Sequence, residues 1–402
     1  MATSLLCSQI RAAEAMSKVL FGKTKKYLGQ VATRTAILNE LYSTNKQFNS
    51  RTSHTARVAL SQIQVVFPNW YINTSFVEAG SGAAATITAS VEYPTGTFTQ
   101  IKFSGSASGT IPNGGNLISD VITLNIPQNA QFFVRTFWNC TAGILLLNGQ
   151  SNPPCAVNNY TGEAINAAVS GLPDLTLGGT RTDATNFAVG YRPAAIIGLT
   201  TKPSFLLLGD SRQFGYSNTS GTGASENVPA GEWAGSIDPY FGYINCGVPT
   251  DQANLFVASH TMRLALGSYC SHVGCEYGIN DLDLSGYTSS QLISSIQSII
   301  NLFPGKPFFV STLDPYSYPS NTAPNNPSAN TQRVAYNTSL RAGTTNLSGL
   351  NGFFDIASVT ESSLNSGLWN SSYSTDFLHP DSNGYAAITA SGVINAALFH
   401  YP

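Results

Sequence analysis

Three patterns of hydrophobic and polar positions follow one another along the chain. From Ser4 to about Phe48, apolar residues recur at helical spacing: Ile10, Ala13, Met16 and Leu20, then Val31, Ile37, Leu38 and Leu41. Gly22 and Gly29 interrupt the run, so it predicts one or two short helices and not a continuous coiled coil. From about Val58 to Asn152 the period changes to that of a strand. Ile87, Ala89, Val91 and Tyr93 alternate with Thr88, Ser90 and Glu92, and Phe132 to Trp138 is dense in aromatic and β-branched residues. Pro94-Thr-Gly, Pro112-Asn-Gly-Gly and Pro127-Gln-Asn punctuate these runs as turns. This predicts an antiparallel β-sandwich or jelly roll. Pro153 to Arg192 is rich in Gly, Asn, Thr and Pro, and reads as a loop completing the sandwich or as a linker.

From Pro203 onward, short apolar strands alternate with amphipathic helices. Phe205–Leu208, Pro307–Ser311 and Gly352–Ile356 read as strands. Leu292, Ile296, Ile299, Ile300 and Phe303 share a helical face; Gln332–Leu340 and about Tyr385–Leu398 read as further helices. Such alternation predicts right-handed βαβ units on a parallel sheet. The expected division is a helical segment over 1–57, a β-domain with trailing loop over 58–192, and an α/β domain over 193–402.

Composition adjusts this picture. Only 10% of the 402 residues are charged, and Ser, Thr, Asn and Gly supply the polar surface instead. The net charge of −2 is unevenly spread: Arg11, Lys18, Lys23, Lys25, Lys26, Arg34, Lys46, Arg51 and Arg57 face only Glu14 and Glu40 before residue 60. The segment reads as a solvated basic helix face, or as a place for self-association or attachment to a larger particle; no nucleic-acid partner is expected. No apolar run has the length of a membrane span, and no standard signal peptide is visible, so an extracellular or virion-associated location is expected without that route. Cys140 and Cys155 flank a strand and turn and suit a hairpin disulfide. Cys270 and Cys275 are open to a second bridge, a half-site with His272, or buried thiols. Trp70 and Trp138 suit either the core or stacking on a sugar.

The candidate chemistry centres on Ser204-Phe-Leu-Leu-Leu-Gly-Asp-Ser211. Gly209 ends a buried strand, and Ser211 falls just past its carboxyl end, where open α/β sheets place ligands. Alone, Gly-Asp-Ser is an ordinary turn. Three later stretches supply the rest of an acyl-transfer site: Asn245-Cys-Gly247, Tyr277-Gly-Ile-Asn280-Asp281 and Asp376-Phe-Leu-His379-Pro380. Each has a plain alternative, Asp376 as a helix cap, His379 as a turn histidine and Asn280 as an Asx turn. Together they provide a nucleophile, a base, an acid to orient it, and donors for an oxyanion.

The order Gly-Asp-Ser, Asn-x-Gly, Gly-x-Asn-Asp, Asp-x-x-His-Pro resembles the SGNH hydrolases, also called GDSL esterases, over about residues 195–402. The resemblance implies a flavodoxin-like α/β/α sandwich, with Ser211 as nucleophile, His379 as base and Asp376 as its orienter. It also implies an oxyanion hole from Ser211 N–H, Gly247 N–H and the Asn280 amide, and no cofactor or metal. Arg212-Gln213 departs from the family, where an aliphatic residue usually follows the serine. The upstream β region is similar to accessory domains of some bacterial and phage members. The expected function is a serine esterase removing small acyl groups, above all acetyl, from a carbohydrate or another small ester. The alternative is a virion structural or receptor-binding protein using this fold to bind or deacetylate glycans; a long-chain lipase fits less well, for want of an apolar lid.

Overall fold

A computed structural model describes residues 26–148, 162–179, 189–218 and 231–401. The helical expectation for the N-terminal segment fails wherever it is described. Tyr27–Gln30, Thr35–Ala36, Glu40–Tyr42 and Gln47–Thr55 are all β-strands. Short apolar spacings cannot separate a helix from brief strands joined by turns. Here Arg34 takes a left-handed φ of 61° between the strands, and the flanking backbones pair into sheets. Residues 1–25 lie outside the described residues.

Among the described residues, two large antiparallel sheets dominate the β region, beside a small three-stranded sheet and a two-stranded hairpin. One orders Tyr27–Gln30, Ala195–Thr200, Leu60–Pro68 and Asn116–Ile118, and the other Ser108–Ile111, Ala85–Glu92, Gln131–Asn139, Gln47–Thr55 and Ala164–Ala168. Phe48, Val65, Ile87, Val134 and Ile196 enter a single hydrophobic cluster between them. Trp138 and Trp70 are fully buried, so both rings are core and neither is offered to a sugar. Gln47–Thr55 carries little hydrophobic signal, yet all but its first residue are buried. Its charge is neutralised on the spot: Arg51 Nε lies 2.8 Å from Glu92, which Arg135 Nε approaches at 2.6 Å. Arg34 and Arg192 close on Glu163 at 3.1 and 2.9 Å, and Arg57 reaches Asp238 at 2.6 Å. Arg34, Arg51 and Arg57 are therefore internal ion-pair partners and not a solvated face.

The parallel sheet orders Thr35–Ala36, Gly242–Gly247, Ser204–Gly209, His272–Cys275, Phe308–Ser311 and Leu350–Phe354. Successive residues of Ser204–Gly209 serve opposite faces. Leu206 and Leu208 pack with Leu292, Ile296 and Tyr336; Phe205 and Leu207 pack with Ile237, Ile388 and Phe399. Helices thus cover both faces. The helix Ser289–Asn301 is opened by a Thr288–Gln291 capping box and buries Leu292, Ile296, Ile299 and Ile300 as the spacing predicts. The last helix is shorter than expected, Ser382–Ser391, because Gly392 ends it in a left-handed conformation at φ 66°.

The boundary at 192/193 also shifts. Ala195–Thr200 pairs with strands of the β region, while Thr35–Ala36 forms the edge of the parallel sheet. Ile37, Val66, Trp70 and Ile197 of the β region join the core of the parallel sheet, so the two parts share packed surface. Cys246, Cys270 and Cys275 are buried, unbridged thiols, and Cys140 is buried beside Ser81. Cys155, and with it the expected hairpin disulfide, lies outside the described residues. Among the described residues no helix is long and apolar enough to cross a membrane.

Candidate active site

The central strand Ser204–Gly209 lies where the strand order reverses: the next strand in sequence packs on one side of it and the following one on the other. In open α/β sheets such a point opens a crevice at the carboxyl ends of the strands. Ser211 stands there as the first residue of the short helix Ser211–Phe214, with Asp210 as cap accepting from Arg212 N–H at 3.0 Å. Gly247 explains how the helix seats. A Cβ there would meet Phe214 N at 2.3 Å, so only glycine allows the neighbouring strand to approach the helix backbone.

Ser211 Oγ lies 2.9 Å from His379 Nε2, and His379 Nδ1 lies 2.7 Å from Asp376 Oδ2. The other carboxylate oxygen, Asp376 Oδ1, accepts from the N–H of Leu378 and His379 at 2.9 and 2.8 Å. Burial pushes the Asp376 carboxyl up, but the hydrogen bond and charge of His379 and these backbone donors outweigh it and hold the group well below its ordinary value. Asp376 does not cap the last helix. Asp381 does, accepting from Asn383 N–H at 2.8 Å.

Of the expected oxyanion donors, Asn280 borders the same cavity as Ser211 and His379. Its Nδ2 donates to Asp210 Oδ2 and to Asp251 O, both at 3.1 Å, which fixes the amide but occupies its two hydrogens. Gly247 departs from expectation: its N–H donates to Asn245 Oδ1 at 2.9 Å, and the glycine is packed beneath the helix. Further along this loop, Thr250 borders the cavity in a left-handed conformation, φ 65°. Phe377 and Ser217 share that unusual backbone, at φ 60° and 62°. Non-glycine residues in this region store strain that gathers at functional sites.

Sequence reasoning missed three contributors. Tyr216 lays its ring on His379, centroids 4.5 Å apart. Ser217 Oγ donates to Asp376 Oδ2 at 3.1 Å. Arg212, the departure from the family pattern, is fully buried and donates to Leu378 O at 2.9 Å and Pro315 O at 2.9 Å. It ties the serine helix to the loop bearing His379. The only signal was its oddity: a guanidinium directly after a buried strand must find acceptors inside. Asp210, Glu232, Glu276 and Asp314 surround it. Burial first, then neighbouring acids, pushes Glu232 and Glu276 well above the ordinary carboxylate range. Among the described residues no cluster of His, Cys, Asp or Glu is arranged to hold a metal ion.

The site opens into a cavity of about 710 Å³. No protein-family model matches the chain, and no curated protein does. Solved structures do align with about half of it. A carbohydrate acetylesterase from Sinorhizobium meliloti is 15% identical, with a TM-score of 0.35, over 49% of this chain and 100% of its own. A catalytic mutant of an acetylxylan esterase from Geobacillus stearothermophilus is 12% identical, with a TM-score of 0.36, over 50% and 95%. A GDSL-like lipase from Bacteroides thetaiotaomicron is 16% identical, with a TM-score of 0.36, over 49% and 87%. Through its four motifs, the C-terminal half of the chain resembles the SGNH, or GDSL, hydrolases.

Proposed function

We propose that the protein is a serine esterase that removes small acyl groups, above all acetyl, from a carbohydrate. The observation that carries this reading is the chain of contacts Ser211 Oγ, His379 and Asp376 at 2.9 and 2.7 Å, bordering one cavity. His379 takes the Ser211 proton as Oγ attacks the ester carbonyl carbon. Asp376 holds the imidazole with Nδ1 protonated and stabilises the imidazolium. The carbonyl π electrons move onto oxygen. They return as the C–O bond breaks, and the leaving alkoxide takes the proton from His379. Water then repeats the sequence on the acyl-serine, releasing the acid and restoring Ser211.

The oxyanion is received by Ser211 N–H, which has no helical acceptor at the first turn, and by the Asn280 amide. For Asn280 this means sharing a hydrogen now given at 3.1 Å to Asp210 or Asp251. We place the remaining backbone donor at Thr250, in the loop where Gly247 was expected to serve. Release of p-nitrophenol from p-nitrophenyl acetate tests the reading. Turnover should exceed that of a Ser211→Ala control by orders of magnitude; a protein that only binds through this fold would match the control.

A further inference from the structure

The cavity in front of Ser211 is not closed by the α/β half alone. Its far side is built by the N-terminal β region, through Asn39, Glu40, Asn73, Thr74 and Phe76. The last three form the tip of the hairpin that pairs Trp70–Ile72 with Glu78–Gly80. Asn73 Oδ1 accepts from the N–H of Ser75 and Val77 at 2.9 and 3.1 Å, which tightens the tip. Phe76 is thereby held at φ 60°, a conformation an aromatic residue rarely adopts, with its side chain against the core of the parallel sheet. At the hairpin's base, Glu78 accepts from the N–H of Met262 and Arg263 at 2.6 and 2.9 Å. Arg263 is fully buried and donates to Asp251 Oδ2 at 2.7 Å, and the Asp251 carbonyl receives the Asn280 amide. The wall is thus fastened, through a continuous network, to the loop that holds an oxyanion donor.

The chemistry of this side is specific. Glu40, the Asn39 and Asn73 amides and the Thr74 hydroxyl offer hydrogen bonds, while Phe76 and Tyr216 offer ring surface. Among the described residues that border the cavity, Glu40 and Asp376 are acidic and none is Lys or Arg. Acceptors and amides beside aromatic faces suit a ring bearing hydroxyl groups; two acidic side chains without a basic one repel an anion.

We propose that the N-terminal β region forms the leaving-group wall of the active cavity and selects an uncharged, hydroxyl-rich alcohol, a neutral O-acetylated sugar, over anionic sugars. This deepens the esterase reading and rests on it. The test compares kcat/KM on ethyl acetate, acetylated xylo-oligosaccharides and an O-acetylated sialic acid. The wild-type protein should favour the xylo-oligosaccharides over the sialic acid by about tenfold or more, the scale of one substrate contact. Phe76→Ala and Glu40→Gln should each lower the xylo-oligosaccharide value by about tenfold, and leave ethyl acetate, which is too small to reach the wall, within about twofold. Phe76→Leu keeps the packing if Phe76→Ala does not fold. A preference for the sialic acid, or equal losses on all three esters, overturns the proposal. Calorimetric binding of the same xylo-oligosaccharides to Ser211→Ala separates the two readings. Binding that Phe76→Leu or Glu40→Gln weakens, in a protein inert toward ethyl acetate, removes the esterase and keeps the wall. Ethyl acetate turnover without such binding removes the wall and keeps the esterase.

Discussion

The β region and the α/β half bury charge in opposite ways. In the β region each deeply buried acid meets two guanidinium groups, Glu92 with Arg51 and Arg135, and Glu163 with Arg34 and Arg192. Burial pushes Glu92 up, but its hydrogen bonds to both arginines prevail and bring it down to about 2. Beneath Ser211 the ratio is inverted: Asp210, Glu232, Glu276 and Asp314 surround Arg212, with Arg333 beside Asp314. There burial dominates, and Asp210, Glu232 and Glu276 are all raised. Surplus arginine holds strands in register in the one region. In the other, surplus acid surrounds Arg212, whose donors fasten the serine helix to the histidine loop.

The largest expected effect lies in the second region and is catalytic. Ser211→Ala and His379→Ala should each lower esterase turnover by about 10⁴-fold or more while leaving the circular dichroism spectrum unchanged. Retention of activity by Ser211→Ala would end the mechanism. The charge contrast itself is probed by one substitution made in both regions. Arg212→Met removes the cation at the centre of the acid cluster and should cost about 3–5 kcal/mol of stability in urea unfolding. Arg51→Met leaves Arg135 on Glu92 and should cost about 1–3 kcal/mol; equal losses would break the comparison. Asn280→Ala should reduce kcat by about 100- to 1,000-fold, with a smaller change in KM.

The smallest effect is the pH dependence of stability, and its sign differs between the regions. Glu92 titrates lower when folded, so its contribution is present above its ordinary value of 4.5 and is lost as the pH falls toward about 2. Asp281, accepting from Ala253 N–H at 3.0 Å, is pushed up by burial to about 7. Its contribution is full below its ordinary value of 3.8 and is lost as the pH rises through about 7. Glu92→Gln should flatten the acid side of a Tm–pH curve, and Asp281→Asn the neutral side, each by roughly 2–4 °C. A steeper neutral side in Asp281→Asn would contradict the assigned direction.

Local chemistry sufficed where one stretch of chain settles its own structure. Phe205–Leu208 is apolar at every position, and a strand buried on both faces follows from that alone. Thr288 with Gln291 marks a helix start, and the Leu292–Ile300 spacing marks its buried face. Ser211, Asn280, Asp376 and His379 stand out because each motif sits at a strand or helix end, where a side chain can be presented. Tertiary structure decided whatever depends on a distant partner. Gln47–Thr55 has almost no hydrophobic signal, and it is a central strand only because Gln131–Asn139 and Ala164–Ala168 satisfy its backbone and Glu92 its arginine. The Gly247 amide looked open in sequence and is turned to Asn245 by the fold. Arg212 looked like a disturbance and is a clasp, because Leu378, 166 positions away in sequence, brings a carbonyl oxygen to it. Periodicity reports which face of an element is apolar; it cannot report which remote group will satisfy a buried charge or amide, since that pairing exists only once the chain has closed on itself.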